Sequence, residues 1–232
     1  MSYGILDPAY QIKETSAGLM HQLSVLASFY VQSKARNLIP VKPRMILTGG
    51  HNKGRAKLVL DYISLPSDFV DEIPINTSGN NIHIFSFNFF PQIAKTLREK
   101  FPINLNYKTI AQEIVNTLPK PLLCVRVRRG DMMHVPEAAN LTISHINNVI
   151  NQYSYSTVYL MTDEKDTSYF SGIKRKYQLF DFPQLTSLDD NYAIFCVETY
   201  IRDLSDIRIS MFTTKDDTEY YHGYLCDDYG IH

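Results

Sequence analysis

Three apolar segments in the second half of the chain are each followed directly by polar residues. The segments have the length and composition of buried strands, and they are Leu122–Val127, Val158–Met161 and Ile207–Phe212. The polar residues that follow them are Arg128-Arg129-Gly130-Asp131, Thr162-Asp163-Glu164 and Thr213-Thr214-Lys215. Helical spacing of apolar residues over Ile143–Tyr153 and Ala193–Leu204 separates the strands. This order predicts a parallel sheet with polar side chains at its carboxyl edge, which is where ligands bind in such sheets.

The first half of the chain shows the same alternation less regularly. Apolar spacing predicts helices over Ser16–Arg36, Pro91–Phe101 and Tyr107–Leu118. Short apolar runs predict strands at Met45–Leu47 and Ile82–Phe87. We therefore predict an α/β fold of two lobes, with residues 1–110 in the first and residues 111–232 in the second.

The composition is that of a folded domain, and its charge is unevenly distributed. Apolar residues make up 44% of the 232 residues, charged residues 20%, and the net charge is −1, which excludes coating of DNA by bulk positive charge. Seven basic residues and no acidic residue lie in the basic segment, residues 34–57: Lys34, Arg36, Lys42, Arg44, Lys53, Arg55 and Lys57. From Asp181 onward there are eleven acidic residues and three basic ones. A phosphate- or nucleic-acid-binding module built on the basic segment is one alternative function, although aromatic residues do not alternate with its basic residues.

Several other site classes are not expected. Three cysteines without a Cys-x-x-Cys pair exclude a disulfide scaffold and disfavour structural zinc. Adjacent acidic residues such as Asp163-Glu164 and Asp189-Asp190 are expected to be solvated loop residues, so no metal site is predicted. The segment Gly49–Arg55 has the composition of a phosphate loop, and a flexible basic surface loop is the preferred interpretation. No apolar stretch is long enough for a membrane span, which predicts a cytoplasmic protein; a trimmed lumenal domain would look the same.

Three segments are candidate anion-binding sites, and each has an ordinary structural alternative. Arginines in or after an apolar strand need anionic partners, so Arg126, Arg128 and Arg129 are candidates for phosphate binding, with Asp131 orienting them. An Arg–Asp network that only braces the strand end is equally compatible with these residues. Gly18 at a predicted helix start and the segment Thr213–Lys215 after a strand have anion-binding chemistry too, and plain Ser/Thr helix caps are the alternative.

The order of these motifs resembles the GDP-fucose-dependent fucosyltransferase superfamily, which includes protein O-fucosyltransferases and α1,2- and α1,6-fucosyltransferases. Gly18-Leu19-Met20-His21-Gln22 is similar to the family's Gly-x-Asn-Gln motif at a helix start. Arg126-Val127-Arg128-Arg129-Gly130-Asp131 resembles its central His-x-Arg-Arg-x-Asp motif. Thr162-Asp163 after a strand, Glu198 on a helix and the pair Thr213-Thr214 match later features. The resemblance covers residues 15–215.

The resemblance implies a GT-B-like fold of two Rossmann-like lobes with parallel sheets, in which the N-terminal lobe is reduced. It implies an acceptor side in the first lobe and a donor side in the second. The implied reaction is inverting, metal-independent transfer of a sugar, most simply L-fucose, from a GDP-sugar donor to a glycan or protein hydroxyl. No cofactor, no nucleic acid and no metal is implied.

The resemblance also implies roles for individual residues. Arg128 and Asp131 would be catalytic, with Arg128 neutralising the leaving diphosphate. The donor would be bound by ten residues: Gly18, His21, Gln22, Arg126, Arg129, Asp163, Glu198, Thr213, Thr214 and Lys215. Among these, Asp163 and Glu198 would lie near the guanosine or its ribose.

Two departures from the family pattern keep a second function open. Arg126 stands where the family has His, and His21 stands where it has Asn. A degenerate transferase fold that binds nucleotide or sugar without turnover is therefore an alternative. No general base is identified from the sequence, and Glu14, Asp131 and Glu137 are the candidates by chemistry alone.

Overall fold

The fold is taken from a computed structural model, which describes residues 2–8, 18–47, 49–84, 91–127, 141–211 and 229–231. The chain divides into two compact units. Unit 1 contains the described residues up to Asn104 together with Asp190–Ala193, and unit 2 contains Leu105–Asp189 and the described residues from Ile194 onward. No helix in these ranges is long and apolar enough to cross a bilayer.

Unit 1 is built around a three-stranded parallel sheet. Its strands are β1 (Tyr3–Leu6), β2 (Ile39–Pro40) and β5 (Gly79–Ile82), in the order β2-β1-β5. Helix α1 (Leu19–Ala35) packs on this sheet and against α2 (Pro91–Lys100). A separate antiparallel pair is formed by β3 (Ile46–Leu47) and β4 (Lys57–Leu58).

Two strand predictions for unit 1 need correction. Of the strand predicted at Ile82–Phe87, only Ile82 belongs to a strand among the described residues, because β5 runs over Gly79–Ile82 and leaves out His83 and Ile84; residues 85–87 lie outside the described part of the chain. Asn80 and Asn81 of β5 are exposed. Polar residues can occupy this strand because the ladder to β1 fixes the backbone regardless of side chains. The strand predicted at Met45–Leu47 exists but pairs antiparallel with β4, so it does not extend the parallel sheet.

Unit 2 contains a five-stranded parallel sheet in the order β10-β9-β6-β7-β8. Its strands are β6 (Leu122–Val127), β7 (Thr157–Thr162), β8 (Lys176–Tyr177), β9 (Ile207–Met211) and β10 (Tyr229–Ile231). The helices are α3 (Leu105–Thr117), α4 (Ile143–Ile150), the short α5 (Pro183–Thr186) and α6 (Asn191–Asp203), whose first three residues belong to unit 1. The α/β class and the parallel sheets predicted from the sequence are confirmed.

The two faces of the unit 2 sheet carry separate apolar cores. Leu123, Val125 and Val127 of β6 lie in the core with α4, and all three are fully buried. Leu122 and Cys124 lie in the opposite core, with α3 and α6. This alternation confirms the strand prediction and places Arg126 on the face covered by α3 and α6. Strands buried on both faces explain why β6 reads as a continuous apolar run.

The chain order creates a reversal beside β6. From β6 the chain crosses to β7 on one side, and it later returns as β9 on the other side. The loops that leave the carboxyl ends of two neighbouring strands in opposite directions open a crevice, and open parallel sheets bind ligands there. Arg126 is paired in register with Ser210 of β9 and Met161 of β7, so it stands at this position.

The segment Gly49–Arg55 forms a hydrogen-bonded turn in which Lys53 and Arg55 are exposed, as expected of a basic surface loop. The N–H groups of Asn52 and Gly54 both donate to Gly49 O, at 2.9 and 2.8 Å. Asn52 is fully buried, and its Oδ1 accepts from the N–H of Asn191 at 2.8 Å. The turn therefore stabilises the start of α6 within unit 1, a role that its glycine-rich composition does not reveal.

Candidate functional site

Arg126 places a guanidinium near the carboxyl edge of the unit 2 sheet. It belongs to β6, and 9% of the residue is exposed. Arg126 lies on the same face of β6 as Leu122 and Cys124, and that face packs against α3 and α6. A buried guanidinium needs nearby negative charge, because desolvation of an isolated charge is costly. Glu198 of α6 supplies part of that charge, since Arg126 acts electrostatically on its carboxyl.

Glu198 is a buried carboxyl held by a buried tyrosine. Only 8% of Glu198 is exposed, and Oε1 accepts a hydrogen bond from the Tyr159 hydroxyl at 2.8 Å. Burial raises the pKa of Glu198 to about 7, although the Tyr159 hydrogen bond and the Arg126 charge both act to lower it. Burial and the neighbouring Glu198 together raise the pKa of Tyr159 well above its usual value, so the phenol stays protonated and donates.

The chain after β7 forms a turn through its own polar side chains. The Thr162 hydroxyl accepts from the N–H of Glu164 at 3.1 Å, and the Glu164 carboxylate accepts from the N–H of Asp166 at 3.0 Å. Glu164 is thus part of a surface turn, which agrees with the solvated loop residue predicted from the sequence.

Asp190 departs from that prediction. Its carboxylate accepts from the N–H groups of Tyr192 and Ala193 and from the Tyr62 hydroxyl, so it has a structural role and is not merely solvated.

A cavity of about 170 Å³ opens beside these residues. Its lining comes from the carboxyl end of β7, the turn that follows β8, and α6: Leu160, Thr162, Asp163, Glu164, Lys165, Gln178, Leu179, Phe180 and Glu198. Phe180 is 69% exposed, which leaves its ring accessible. The volume is below the roughly 300–1,000 Å³ of pockets that enclose a whole drug-sized ligand, so it suits one ring system of a larger ligand.

The chemistry of this lining favours hydrogen-bond donors over anions. Three carboxyl groups, from Asp163, Glu164 and Glu198, face one ammonium group, from Lys165. Carboxylates accept hydrogen bonds from N–H and O–H groups and repel phosphate. The cavity can therefore bind a base or a sugar hydroxyl, with Phe180 offering a ring for stacking.

The structure groups three residues that the sequence predicted as donor contacts. Asp163, after β7, and Glu198, on α6, line the same cavity. Arg126 on β6 is not part of that lining, but its charge acts on the Glu198 carboxyl. Tyr159, Gln178 and Phe180 were missed. Tyr159 could have been found, because strand alternation puts it on the same face as Met161 and Asp163. Gln178 and Phe180 lie in a short 3₁₀ turn region without a distinctive sequence pattern.

Gly18 and Gln22 belong to unit 1. Gly18 is the residue before α1, with an extended backbone and no side-chain cap hydrogen bond, so the alternative of an ordinary Ser/Thr cap is wrong. Gln22 is buried, and its N–H donates to Gly18 O at 3.2 Å. The residue that precedes the helix therefore has no side chain with which to cap it.

The remaining predicted site residues lie outside the described part of the structure. They are Arg128, Arg129, Asp131, Thr213, Thr214, Lys215 and the side chain of His21, together with the candidate bases Glu14 and Glu137. Their roles stay predictions. Within the described ranges, no three His, Cys, Asp or Glu side chains are grouped closely enough to hold a metal ion.

Comparison with known proteins gives a relationship at the level of structure. No protein-family model matches the chain, and no curated protein sequence matches it significantly. The structure of NodZ α-1,6-fucosyltransferase soaked with GDP-fucose has a TM-score of 0.58 and 10% identity, covering 95% of this chain and 91% of that one. The same enzyme co-crystallised with GDP has a TM-score of 0.59 and 9% identity, covering 97% and 92%. Fucosyltransferase NodZ from Bradyrhizobium has a TM-score of 0.59 and 9% identity, covering 97% and 93%.

These likenesses establish the fold. They extend over nearly the whole of each chain, so both units take part in them. The chain therefore has a GT-B-like fold with two Rossmann-like lobes and parallel sheets, as the sequence predicted. The N-terminal sheet is the smaller one, with three strands against five in the described residues.

Proposed function

We propose that the chain is a glycosyltransferase that uses a GDP-sugar, most simply GDP-fucose. The observation that carries this proposal is the structural likeness, along nearly the full chain, to an enzyme whose structures contain GDP and GDP-fucose. The residues that resemble the family's motifs in unit 2 add to it, since Asp163 and Glu198 line one cavity and the charge of Arg126 acts on Glu198.

The cavity favours guanine among the common bases. Guanine presents two adjacent donors, the N1–H and the 2-amino group, which a carboxylate can accept together. Adenine has an acceptor at N1, and uracil flanks its single N–H with carbonyl oxygens. Glu198, buried and oriented by Tyr159, is the carboxylate that we assign to guanine. Asp163 at the rim is assigned to a ribose hydroxyl.

The diphosphate would then bind outside the acidic cavity. Arg128, Arg129 and the hydroxyls of Thr213 and Thr214 follow β6 and β9, the two strands that flank the reversal. In our proposal Arg128 stabilises the charge that develops on the leaving β-phosphate, and Asp131 orients it. The transfer breaks the bond between the anomeric carbon and the phosphate oxygen, and the acceptor hydroxyl oxygen forms the new bond with inversion. Its proton passes to a base that is not assigned.

Release of GDP from GDP-fucose, with candidate glycan and peptide acceptors, tests the proposal. Arg128→Ala is expected to retain the fold and lose about 10²–10³ in turnover, the usual effect of removing one preorganised charge-stabilising donor. Arg128→Lys should restore little, because an ammonium cannot form the bidentate contact of a guanidinium. If Arg128→Ala lowers the melting temperature while turnover per folded molecule is unchanged, Arg128 only braces the strand end.

Activity should persist in EDTA, and a strict Mg²⁺ or Mn²⁺ requirement would contradict the arginine mechanism.

A catalytically inactive nucleotide-binding protein is the second candidate. Arg126 and His21 replace family residues, and this is the observation that favours it. GDP binding without release of GDP from GDP-fucose under any acceptor condition would support this alternative.

Ion pairs within the fold weaken the alternative of a nucleic-acid-binding module built on the basic segment. Three lysine Nζ atoms lie close to aspartate carboxylate oxygens: Lys34 at 2.5 Å from Asp68, Lys42 at 3.5 Å from Asp71 and Lys57 at 4.0 Å from Asp190. These aspartates come from outside the segment, so its positive charge is partly neutralised by the fold.

A further inference from the structure

The Tyr159 hydroxyl has a role that packing does not explain. The ring is fully buried on β7 in the core with α3 and α6, and it lies 5.9 Å from the ring of Phe182, centroid to centroid. A phenylalanine ring would fill the same space. The hydroxyl contributes one feature more, the 2.8 Å hydrogen bond to Oε1 of Glu198, whose side chain also lines the cavity.

We propose that Tyr159 is a positioning residue of the donor site, which holds the Glu198 carboxylate in one orientation as the acceptor for the nucleotide base. This inference rests on the proposed function and deepens it. Tyr159 does not line the cavity among the described residues, so it acts through Glu198 and not by touching the ligand.

The orientation of Glu198 matters because its side chain is long. A glutamate has three rotatable side-chain bonds, and a bidentate contact with two adjacent N–H groups needs the carboxylate in one plane. Tyr159 is itself fixed by β7, which pairs along its full length with β6. The hydrogen bond from the Tyr159 hydroxyl therefore restrains the Glu198 side chain on α6 relative to the sheet.

Tyr159 also affects the charge of Glu198. The charge of Arg126 on β6 acts on Glu198, while Cys124 on β6 and Asp181 in the turn after β8 act on Tyr159. Glu198 also shares the lining of the cavity with the charged residues Asp163, Glu164 and Lys165. Burial raises the pKa of Glu198, while the Tyr159 hydrogen bond and Arg126 lower it. Loss of the hydroxyl thus leaves more of the carboxyl protonated at neutral pH, and a protonated carboxyl cannot accept both guanine donors.

Calorimetry of GDP binding between about pH 6 and pH 9 tests this on the full chain. We expect Tyr159→Phe to weaken GDP binding about tenfold at pH 7, with part of the loss recovered at pH 9, where the carboxyl ionises again. Glu198→Gln should weaken binding at every pH without recovery. Tyr177→Phe on β8, the same one-atom deletion on a half-exposed ring, is the matched control and should bind as the original protein does.

The preference for GDP over inosine diphosphate adds a second measurement, and it should not change if the Tyr159 hydroxyl has only a structural role. This nucleotide lacks the 2-amino group, so it offers Glu198 one donor in place of two. The original protein should prefer GDP to inosine diphosphate, and Tyr159→Phe should reduce that preference. If Tyr159→Phe does not fold, Glu198→Asp decides, because its shorter side chain keeps the charge but withdraws from the hydroxyl. It should lose GDP affinity to a similar extent.

Three results would overturn the inference, and they are distinguishable. If Tyr159→Phe binds GDP with unchanged affinity, pH dependence and base preference while only its melting temperature falls, the hydroxyl is structural and the proposed function still stands. Wild-type affinity for GDP in Glu198→Asp would mean that Glu198 is not the acceptor for the base. That result overturns the inference and the assignment of Glu198 to guanine, while GDP binding by the chain still stands. If the original protein itself does not bind GDP, both the inference and the proposed function fail.

Discussion

Glu198 makes the stability of the folded chain depend on pH in a direction opposite to that of most carboxyl groups. Its pKa is raised from 4.5 to about 7 in the folded protein, mainly by burial. Between these two values the folded state binds more protons than the unfolded state does. The contribution of Glu198 to the unfolding free energy is therefore full below about pH 4.5, falls as pH rises through the window up to 7, and is lost above it.

The expected size of this effect is about 3 kcal/mol, from roughly 1.4 kcal/mol per pKa unit. Glu198→Gln removes the group that titrates, so the variant should lose this part of the pH dependence and should gain stability relative to the original protein as pH rises. Denaturant melts of both proteins at pH 5 and pH 8 measure it. Parallel pH profiles for the two proteins would mean that the pKa of Glu198 is the same in the folded and unfolded states, which contradicts this account.

Among the individual residues, charged side chains of the site could be predicted from the sequence, and a residue that acts through a distant partner could not. Arg126 was identified because an arginine within an apolar strand needs an anionic partner, and Glu198 was identified from its resemblance to an acidic residue that the family carries on a helix. Tyr159 was not, since a tyrosine in a strand is usually a packing residue. Its role depends on Glu198, 39 positions away along the chain.

At the scale of secondary structure, the start of α6 depends on one aspartate. Asp190 accepts from the N–H groups of Tyr192 and Ala193 at 2.9 and 3.2 Å, and from the Tyr62 hydroxyl at 2.6 Å. Asp190→Ala should lower the unfolding free energy by about 2 kcal/mol, the combined effect of a lost cap and an unsatisfied buried hydroxyl. The exposed Glu72, another acidic loop residue of unit 1, is the control, and Glu72→Ala should change stability by less than about 0.5 kcal/mol. Equal effects of the two substitutions in thermal melts would argue against the capping role.

The Gly49–Arg55 turn gives a second prediction at this scale. A Cβ atom at Gly49 would lie 2.8 Å from the backbone carbon and oxygen of Gly54, which cannot move without breaking the turn. Gly49→Ala should therefore cost about 1–3 kcal/mol, as other cases of overpacking do. Gly172→Ala is the control, because its nearest neighbours would be side-chain atoms at 3.6 and 3.9 Å, an ordinary contact distance. Identical melting temperatures for the two variants would mean that the segment is the flexible loop predicted from its composition.

The helices and the long strands could be predicted because each has a period that packing imposes. Strand β6 with both faces buried is the clearest case, and α3, with Ala111, Ile114 and Val115 buried, is another. The two-residue strands β2, β4 and β8 could not, because two residues show no period. The first three residues of β5 were not predicted for a related reason: its central asparagines contribute backbone hydrogen bonds to the ladder and no apolar side chain.

For the whole molecule, the distribution of charge could be read from the sequence but its consequence could not. The sequence separates a basic segment, which suggested a phosphate- or nucleic-acid-binding module, from an acidic C-terminal part. The fold pairs Lys34, Lys42 and Lys57 with aspartates from elsewhere in the chain. Such pairings are long-range contacts, and local patterns do not reveal them.

The selectivity of nucleotide binding tests the central claim most directly. Calorimetry of the full chain with GDP, ADP, UDP and a single-stranded oligonucleotide, at one pH and one salt concentration, compares the candidate ligands. A GDP-sugar transferase with a carboxylate in its base site should bind GDP at least about tenfold more tightly than ADP or UDP, a difference of about 1.4 kcal/mol. The oligonucleotide should bind weakly, and its binding should disappear as salt is raised. Equal affinities for the three nucleotides, or tighter binding of the oligonucleotide, would contradict the account.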